Sequence, residues 1–368
     1  MEYPFSAFLF NMKKILTTHL SPQIIPQYDK FILSHPQGWI STHSGWIKVL
    51  ESAFPQIKGN SVIFHDSKED KILGALPLCK VKSSLTVPRL VSVPFCSISE
   101  PLFMEIDYSS LTETFDKLLS DTNSSHIEIR VASEQSINQL LANLKPSSIY
   151  KCHIIDLNRP LNTILKSIHA SSIRHYINKA AAFGAQIRHA KNQSDIIAFY
   201  KLYSHTRKNL YLPAMPFKFF ESIWEVFSPT DNVNFLLLEL DKTPVASMMF
   251  FKFGNRVSVE ALGWDKKFTK LHAVKALYWE AIKTAHSEGY KIFDFGRTDP
   301  LNKSLMDFKS RWGTYVTDLP VFIYPQSAAK RNTASRMKPL ALRLQKILFG
   351  MPQPFYGWIS GFCYRHMG

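Results

Sequence analysis

Apolar residues recur along this chain in two rhythms, helical and alternating, and one succession of these rhythms runs through it twice. From residue 22, IIPQYDKFILSH has the spacing of an amphipathic helix, Pro36 and Gly38 break it, and SGWIKVLESAF is a second helical stretch. SVIFHD and ILGALPLCKV, joined by the polar turn SKEDK, predict a strand pair. LVSV and the Pro94–Phe103 segment are strand-like, a helix spans Ser110 to Leu119, and the strand HIEIRVA closes the half.

The order then repeats. DIIAFYKLYSHTRKN places Ile196, Phe199, Tyr200 and Tyr203 on one side of a helix, broken at Pro213 and Pro216. FKFFESIWEVF is the second helix. NFLLLEL and VASMMFFKF, joined by DKTP, form the strand pair, and VSVEALGW is a further strand. A helix from about His272 to Ser287 stops at Gly289, and KIFDFG is the closing strand. The match is one of order and type, and it predicts a duplicated α/β domain whose mixed sheets are covered by helices. Between the halves, residues 161–184 predict one or two helices ending at Gly184, and QIRHA begins a strand. QSAAKRNTAS, after Pro325, has the composition of a linker.

Length and composition fit this picture. The 368 residues suit two domains, and 45% hydrophobic with 13% aromatic residues fills two cores. The four cysteines are far apart, which argues against a disulfide framework or a zinc site and fits a cytoplasmic protein. No metal site is expected. No segment reaches the roughly 18 apolar residues that span a bilayer. MEYPFSAFLFNMKK is short, with its lysines after the apolar run, so it predicts a first strand or helix docked on the core and not a secretory signal.

Charge changes the picture more. Residues 1–150 carry 13 basic and 14 acidic side chains and residues 211–325 carry 14 and 13, so both are balanced. The excess lies in residues 151–210, with 10 and 2, and 326–368, with 7 and none. Two such regions predict an anionic ligand, an anionic surface, or both.

Four places could carry chemistry. Arg174 and Lys179, in SIRHYINKAAAFG, offer charge-assisted hydrogen bonds to a phosphate; a solvated helix face is the plain alternative. Tyr203, His205 and Arg207 precede a Pro-rich break of the kind that borders a cleft, and His205 could accept a proton, although a lone His is more often structural. Glu260, inside an apolar strand, either takes a proton in a pocket or forms an ion pair on an exposed face. In FDFGRTDPLNKSLMDFKSRWG, Asp294, Gly296 and Arg297 stand at a strand's carboxyl end, where α/β sheets gather ligands. Lys309 and Trp312 follow, a cation three residues from an aromatic.

SIRHYINKAAAFG, YSHTRKNLYLPAMPFKFF, ALYWEAIKTAHSEGYKIFDFGRT and FKSRWG together resemble the FemAB-like and BioF2-like branch of GNAT-type transferases. GALPLCKV and VPFCSISEPLF look like the first-domain signature of that group, and the resemblance covers residues 22–325. It implies an α/β (α+β) chain of tandem GNAT-like domains, 22–150 and 151–325, with mixed β-sheets flanked by helices and a basic amphipathic tail at 326–368. It also implies transfer of an acyl or aminoacyl group to an amine, often on a cell-wall or surface-glycan precursor. By motif, Arg174, Lys179 and Arg207 fall on binding elements; Asp294, Gly296, Arg297, Lys309 and Trp312 fall on the D-F-G-R and F-K-x-x-W-G blocks. Lys309, Glu260, Arg297 and Asp294 are expected in catalysis; Arg174, Lys179, Tyr203, His205, Arg207, Gly296 and Trp312 in binding. No bound cofactor is expected, and the donor substrate is acyl-CoA or aminoacyl-tRNA. Where acyl-CoA enzymes carry a glycine loop, this chain reads DKKFTKLHAVKAL, so CoA use is in doubt.

In the tail, SRMKPLALRLQKILF sets Met337, Leu340, Leu344, Ile347 and Leu348 opposite Arg336, Arg343 and Lys346, and FYGWISGFCY adds aromatics. Residues 335–364 are expected to attach the protein to the inner face of a membrane, with tRNA another possible partner and packing on the core the plain alternative. Two other functions stay open. One is a non-catalytic, membrane-associated scaffold for glycan or lipid assembly. The other is an RNA-binding module, although no RRM or KH element is present.

Overall fold

Each half of the sequence turns its hairpin signal into an antiparallel strand pair and its longest late helix into a crossover between parallel strands. The computed structural model describes residues 12–16, 20–66, 70–103, 109–132, 144–332 and 346–366. These fall into a first unit within Met1–Ile149, Asp318–Ser335 and Arg365–Gly368, and a second within Tyr150–Thr317 and Arg336–Tyr364.

The first unit runs β1 (Met12–Leu16), α1 (Ile25–Ser34), α2 (Ser44–Ala53), β2 (Ile57–Gly59), β3 (Val62–Asp66), β4 (Lys71–Leu76), β5 (Cys79–Val81), β6 (Arg89–Val91), β7 (Leu102–Phe103), α3 (Ser109–Thr122) and β8 (Ile127–Arg130). The run ILGALPLCKV, expected as one strand, is two: it breaks at Pro77, which lacks the N–H a ladder needs. β4 pairs with β3, and β5 joins a different sheet beside β2 and β6. β6 and β8 are parallel, with α3 as their crossover. Leu90, Ile127 and Ile129 pack with Leu111, Phe115 and Leu118 of that helix.

The second unit runs β9 (Ser148–Asp156), α4 (Leu161–Ser167), α5 (Lys179–Ala182), β10 (Gln186–His189), α6 (Gln193–Asn209), α7 (Phe217–Phe227), β11 (Val233–Leu240), β12 (Thr243–Phe253), β13 (Arg256–Trp264), α8 (Ala273–Ser287), β14 (Ile292–Thr298), α9 (Lys303–Ser310) and β15 (Tyr315–Tyr324). Its strands lie in the order β10-β11-β12-β13-β14-β9. Only β13 and β14 are parallel, with α8 between them in sequence. The Asp318–Tyr324 part of β15 belongs to the first unit, where Val321 pairs with Arg130 of β8. One face of the second unit's sheet buries Leu236, Met248, Phe250, Leu277, Ile282, Phe293 and Phe295. Each such side chain contributes on the order of 1.5–3 kcal/mol when removed from water. The repeat predicted from order and type is therefore visible in the connections: a helix pair, a hairpin, then strand–helix–strand in parallel.

Three details differ from expectation. Residues 161–184 are not continuous helix: α4 and α5 are separated by a single 3-10 turn, Arg174–Tyr176, because the apolar anchors Ile168, Ile173, Ile177 and Ala180 do not keep one helical phase. Residues 326–332 are helix α10 (Gln326–Asn332) and not linker, since Ala328, Ala329, Lys330 and Arg331 are strong helix formers. The amphipathic helix expected from Ser335 lies largely outside the described residues; 346–349 are a helical turn, followed by α11 (Gln353–His366).

Two contacts position the future site. Asn192 caps α6 by accepting from Asp195 N at 3.1 Å, and Asp195 binds Arg188 at 2.7 Å, which ties the helix start to β10. At its other end α6 lies backbone to backbone on β13. A Cβ at Gly263 would stand 2.3 Å from Tyr203 N, so only glycine allows this approach. Trp264 N donates to Thr206 Oγ1 at 2.7 Å across the same seam.

Candidate active site

β13 and β14 pair in parallel only from Arg256 with Ile292 to Ser258 with Asp294. Just beyond, both carry a bulge. Against β12, Phe250 faces Val259 and Met249 faces Ala261, so Glu260 is the extra residue. Against β9, Asp294 faces Ile154 and Arg297 faces Cys152, so Phe295 and Gly296 stand opposite His153 alone. Gly296 has φ +74°, and a Cβ there would meet Val259 O at 2.7 Å. Bulges re-aim side chains, and these two do so at neighbouring points of adjacent strands.

Glu260 is half-buried and accepts a 3.0 Å hydrogen bond from Ser258 Oγ. Burial, helped by the nearby Asp294 charge, pushes its carboxyl up to about 7, against the pull of Ser258 and Lys309. Asp294, only 1% exposed, accepts from Gly296 N at 2.6 Å and from Cys152 Sγ at 2.8 Å. Its Oδ2 lies 3.7 Å from Arg256 Nη1. The carboxylate thus closes the turn that forms the bulge.

Lys309, expected in catalysis, lies buried against β14. It is 4% exposed, and Nζ donates to Phe295 O at 2.5 Å, Gly296 O at 2.7 Å and Thr298 Oγ1 at 2.8 Å. An ammonium has three protons, and all three are committed to β14. Burial lowers its pKa, while the charges of Asp294, Cys152 and Glu260 oppose that. Trp312, expected at the ligand, is fully buried instead, between Tyr278 at 5.4 Å and Phe295 at 5.8 Å. It anchors the turn after α9, where Gly313 (φ +70°) passes Ser167 too closely for a side chain.

Sequence reasoning missed the β9 contributions. His153 is 0% exposed, neither ring nitrogen has a hydrogen-bond partner, and burial with the Lys309 charge presses it down to about 4, so it is neutral. Cys152 is buried, and its thiol is raised well above the usual range by burial and by Asp294. The available signal was the short run CHII, and in the structure all four of its residues, Cys152 to Ile155, are buried.

A second feature lies on the same unit. A cleft of about 160 Å³ is lined by Val245, Trp264, Phe268, Lys275 and Phe308, at the N-terminus of α8. No side chain caps that helix, and its entry residue His272 is left-handed, with φ +51°. Its first N–H groups therefore lack intrahelical partners and carry the positive end of the helix dipole. Two cations stand over the Tyr176 ring beside it, Lys275 Nζ at 4.2 Å and Lys179 Nζ at 5.4 Å from its centre, and the His272 ring lies tilted against it at 4.0 Å. Burial and the positive charges of Arg311 and Lys179 lower the pKa of Lys275, and Asp265, which accepts from Lys267 N at 2.9 Å, also lines the cleft.

The remaining expected residues are placed apart. Arg297 is partly exposed, its guanidinium 3.4 Å from the centre of the Tyr150 ring. Arg174 donates to Lys166 O at 3.2 Å. Tyr203 is buried among Phe199 and Phe220 and accepts from Met215 N, Arg207 Nε donates to Pro213 O at 2.9 Å, and His205 is exposed. Tyr203 and Arg207 hold the α6–α7 connection. Among the described residues no cluster of His, Cys, Asp and Glu could hold a metal ion.

Residues 168–310 match the acetyltransferase (GNAT) domain. The chain is similar in fold to the crystal structure of FemX, with TM-score 0.64 and 14% identity over 87% of this chain and 99% of that one. It is similar to L-PGS from Bacillus licheniformis, with TM-score 0.54 and 11% identity over 89% and 96%. It is also similar to a tandem GNAT protein from the clavulanic acid biosynthesis pathway, with TM-score 0.54 and 9% identity over 85% and 97%. At such identities the likeness concerns the fold. No curated protein sequence matches the chain.

Proposed function

We propose that the chain, whose residues 168–310 match the acetyltransferase (GNAT) domain, is an acyl- or aminoacyltransferase of FemAB-like tandem fold that transfers its group to an amine on a cell-wall or surface-glycan precursor. The observation that carries this reading is Glu260, bulged out of β13 with a carboxyl near 7. An amine that attacks a carbonyl must lose a proton, and a base whose pKa lies near the working pH accepts it efficiently. The new bond joins the amine nitrogen to the acyl carbon. The bond from that carbon to the donor's sulfur or oxygen breaks, and the proton passes to Glu260 and on to the leaving group or solvent.

In this reading Asp294 and Lys309 are positioning residues. They fix the β14 bulge, and preorganisation of that kind is where much of catalysis lies. The donor's phosphates lie at the cleft beside α8, held by Lys179 and Lys275 and by the helix end. Acyl-CoA and aminoacyl-tRNA share that chemistry. Replacing Lys179 and Lys275 by Ala is expected to raise the donor KM about tenfold with little change in kcat, and to flatten its salt dependence. Steady-state kinetics with each donor class checks this and tells the two donors apart. An unchanged KM for both would remove the cleft from the donor site.

The acceptor class is tested in cells. Mass spectrometry of surface glycan and peptidoglycan from a deletion strain is expected to show loss of one acyl or aminoacyl substituent. Unaltered material in both would count against this acceptor class. We further place the protein at the inner face of the membrane. The support is the basic segment 326–368, with 7 Lys and Arg and no acidic residue. No helix among the described residues is long and apolar enough to cross a membrane.

A further inference from the structure

Helix α11 has two faces of opposite kind. Tyr356, Ser360 and Tyr364 recur every fourth residue and are 1%, 3% and 6% exposed. They hold the α6–α7 connection: Tyr356 Oη donates to Leu212 O at 2.9 Å, and Ser360 Oγ accepts from Ala214 N at 3.3 Å. This side needs nothing more. On the other side stand Phe355, Trp358 and Phe362, spaced three and four apart, with exposures of 60%, 72% and 45%. Trp358 and Phe362 stack on each other at 6.1 Å. Just before the helix, Ile347 and Leu348 are 62% and 41% exposed, with the exposed Lys346 beside them.

Three large aromatics in a row are costly to leave in water, and a monomeric surface seldom carries such a cluster without use. The surrounding charge selects the occupant. No acidic residue occurs from 326 to the end of the sequence, and the connection this helix holds sets two cations against it: Lys208 Nζ stands 5.9 Å from the centre of the Tyr356 ring, and Arg207 lies beside Tyr364. An apolar protein surface would not call for this one-signed rim. A layer of anionic headgroups over acyl chains meets both features: the rings enter the interface, and the cations stay at phosphate level.

We infer that the outer face of α11, through Phe355, Trp358 and Phe362, is the docking surface for an anionic lipid bilayer. This deepens the placement at the membrane proposed above and rests on it, but it assigns the contact to one helix face and not to basic charge alone.

The test is co-sedimentation of the full chain with phosphatidylcholine vesicles, with and without phosphatidylglycerol. Binding about tenfold or more stronger to the phosphatidylglycerol vesicles is expected, falling as salt rises. Phe355→Ser, Trp358→Ser and Phe362→Ser together should remove most of it. As all three side chains are exposed, far-UV circular dichroism should stay unchanged. If this variant sediments like the parent, the face is not the docking surface, although charge-driven membrane binding survives. If the parent binds neither vesicle, the docking surface and the membrane placement both fall, while the transferase reading, tested by kinetics, stands. If the lipid-free parent instead dimerises and the variant does not, the face serves a second copy of the chain and the inference is overturned.

Discussion

Glu260→Gln is expected to lower kcat by about 10²–10⁴-fold, with little change in donor KM. The substitution keeps the shape of the side chain and the acceptor for Ser258 Oγ, and removes only the ability to take a proton. In the parent enzyme, kcat/KM should rise with pH through about 7 and level off above it, because only the ionised carboxylate is a base. The variant should lose that step. Stability should move the other way. A carboxyl whose folded pKa is raised stabilises the fold most at pH below its unfolded pKa, and that contribution is lost as the pH rises through about 7. Above that pH, Glu260→Gln removes a poorly solvated charge, so it should be neutral or stabilising. An inactive variant of equal or higher Tm isolates chemistry from folding; full activity in the variant would falsify the role of Glu260 as the base.

Lys309→Met is expected to cost about 3–5 kcal/mol of stability, read from the denaturant midpoint at constant m. The ammonium is 4% exposed and holds Phe295 O, Gly296 O and Thr298 Oγ1, and its loss leaves all three without their donor in a dry place. It also leaves Asp294 with one neighbouring cation fewer. Lys309→Arg should not rescue, since a planar guanidinium cannot reach three acceptors gathered round one point. In the fraction that folds, kcat should fall while donor KM holds, as befits a residue that shapes β14 without touching the donor. A variant as stable as the parent would show that Lys309 is not the clasp of this bulge.

Most of the second unit was legible because its signals are local. The helices at 193–209 and 217–227 and the hairpin at 233–253 announce themselves through period, Pro breaks and a polar turn. β9 was not legible in the same way: it has meaning only as the antiparallel partner of β14, which is more than a hundred positions away. The site shows the same limit more sharply. Glu260 and Gly296 stand out by residue type, but a bulge is defined against a partner strand, and no single strand displays it. Lys309 and Trp312 were expected at the site, yet both side chains are buried, since a sequence shows a cation near an aromatic and not where its protons go. Arg174 and Lys179 were expected together in one basic element, whereas Lys179 stands over the Tyr176 ring and Arg174 donates to Lys166 O.

The repeated strand–helix–strand crossover has a consequence for how this chain tolerates change. In the first unit, β6 and β8 pair without a register shift at Leu90–Ile127 and Val91–Glu128; in the second, β13 and β14 are both interrupted just past their pairing. Two copies of one scaffold therefore bear different burdens. Substitutions in the β6–α3–β8 copy register as changes in thermodynamic margin, and many near-neutral combinations can compensate one another. Those at the interrupted copy act on a local backbone shape with few solutions, where a single methyl group at Gly296 already collides with Val259. The same succession of strand, helix and strand is thus continuous in one unit and interrupted in the other, and at the interruption an added side chain meets backbone at once.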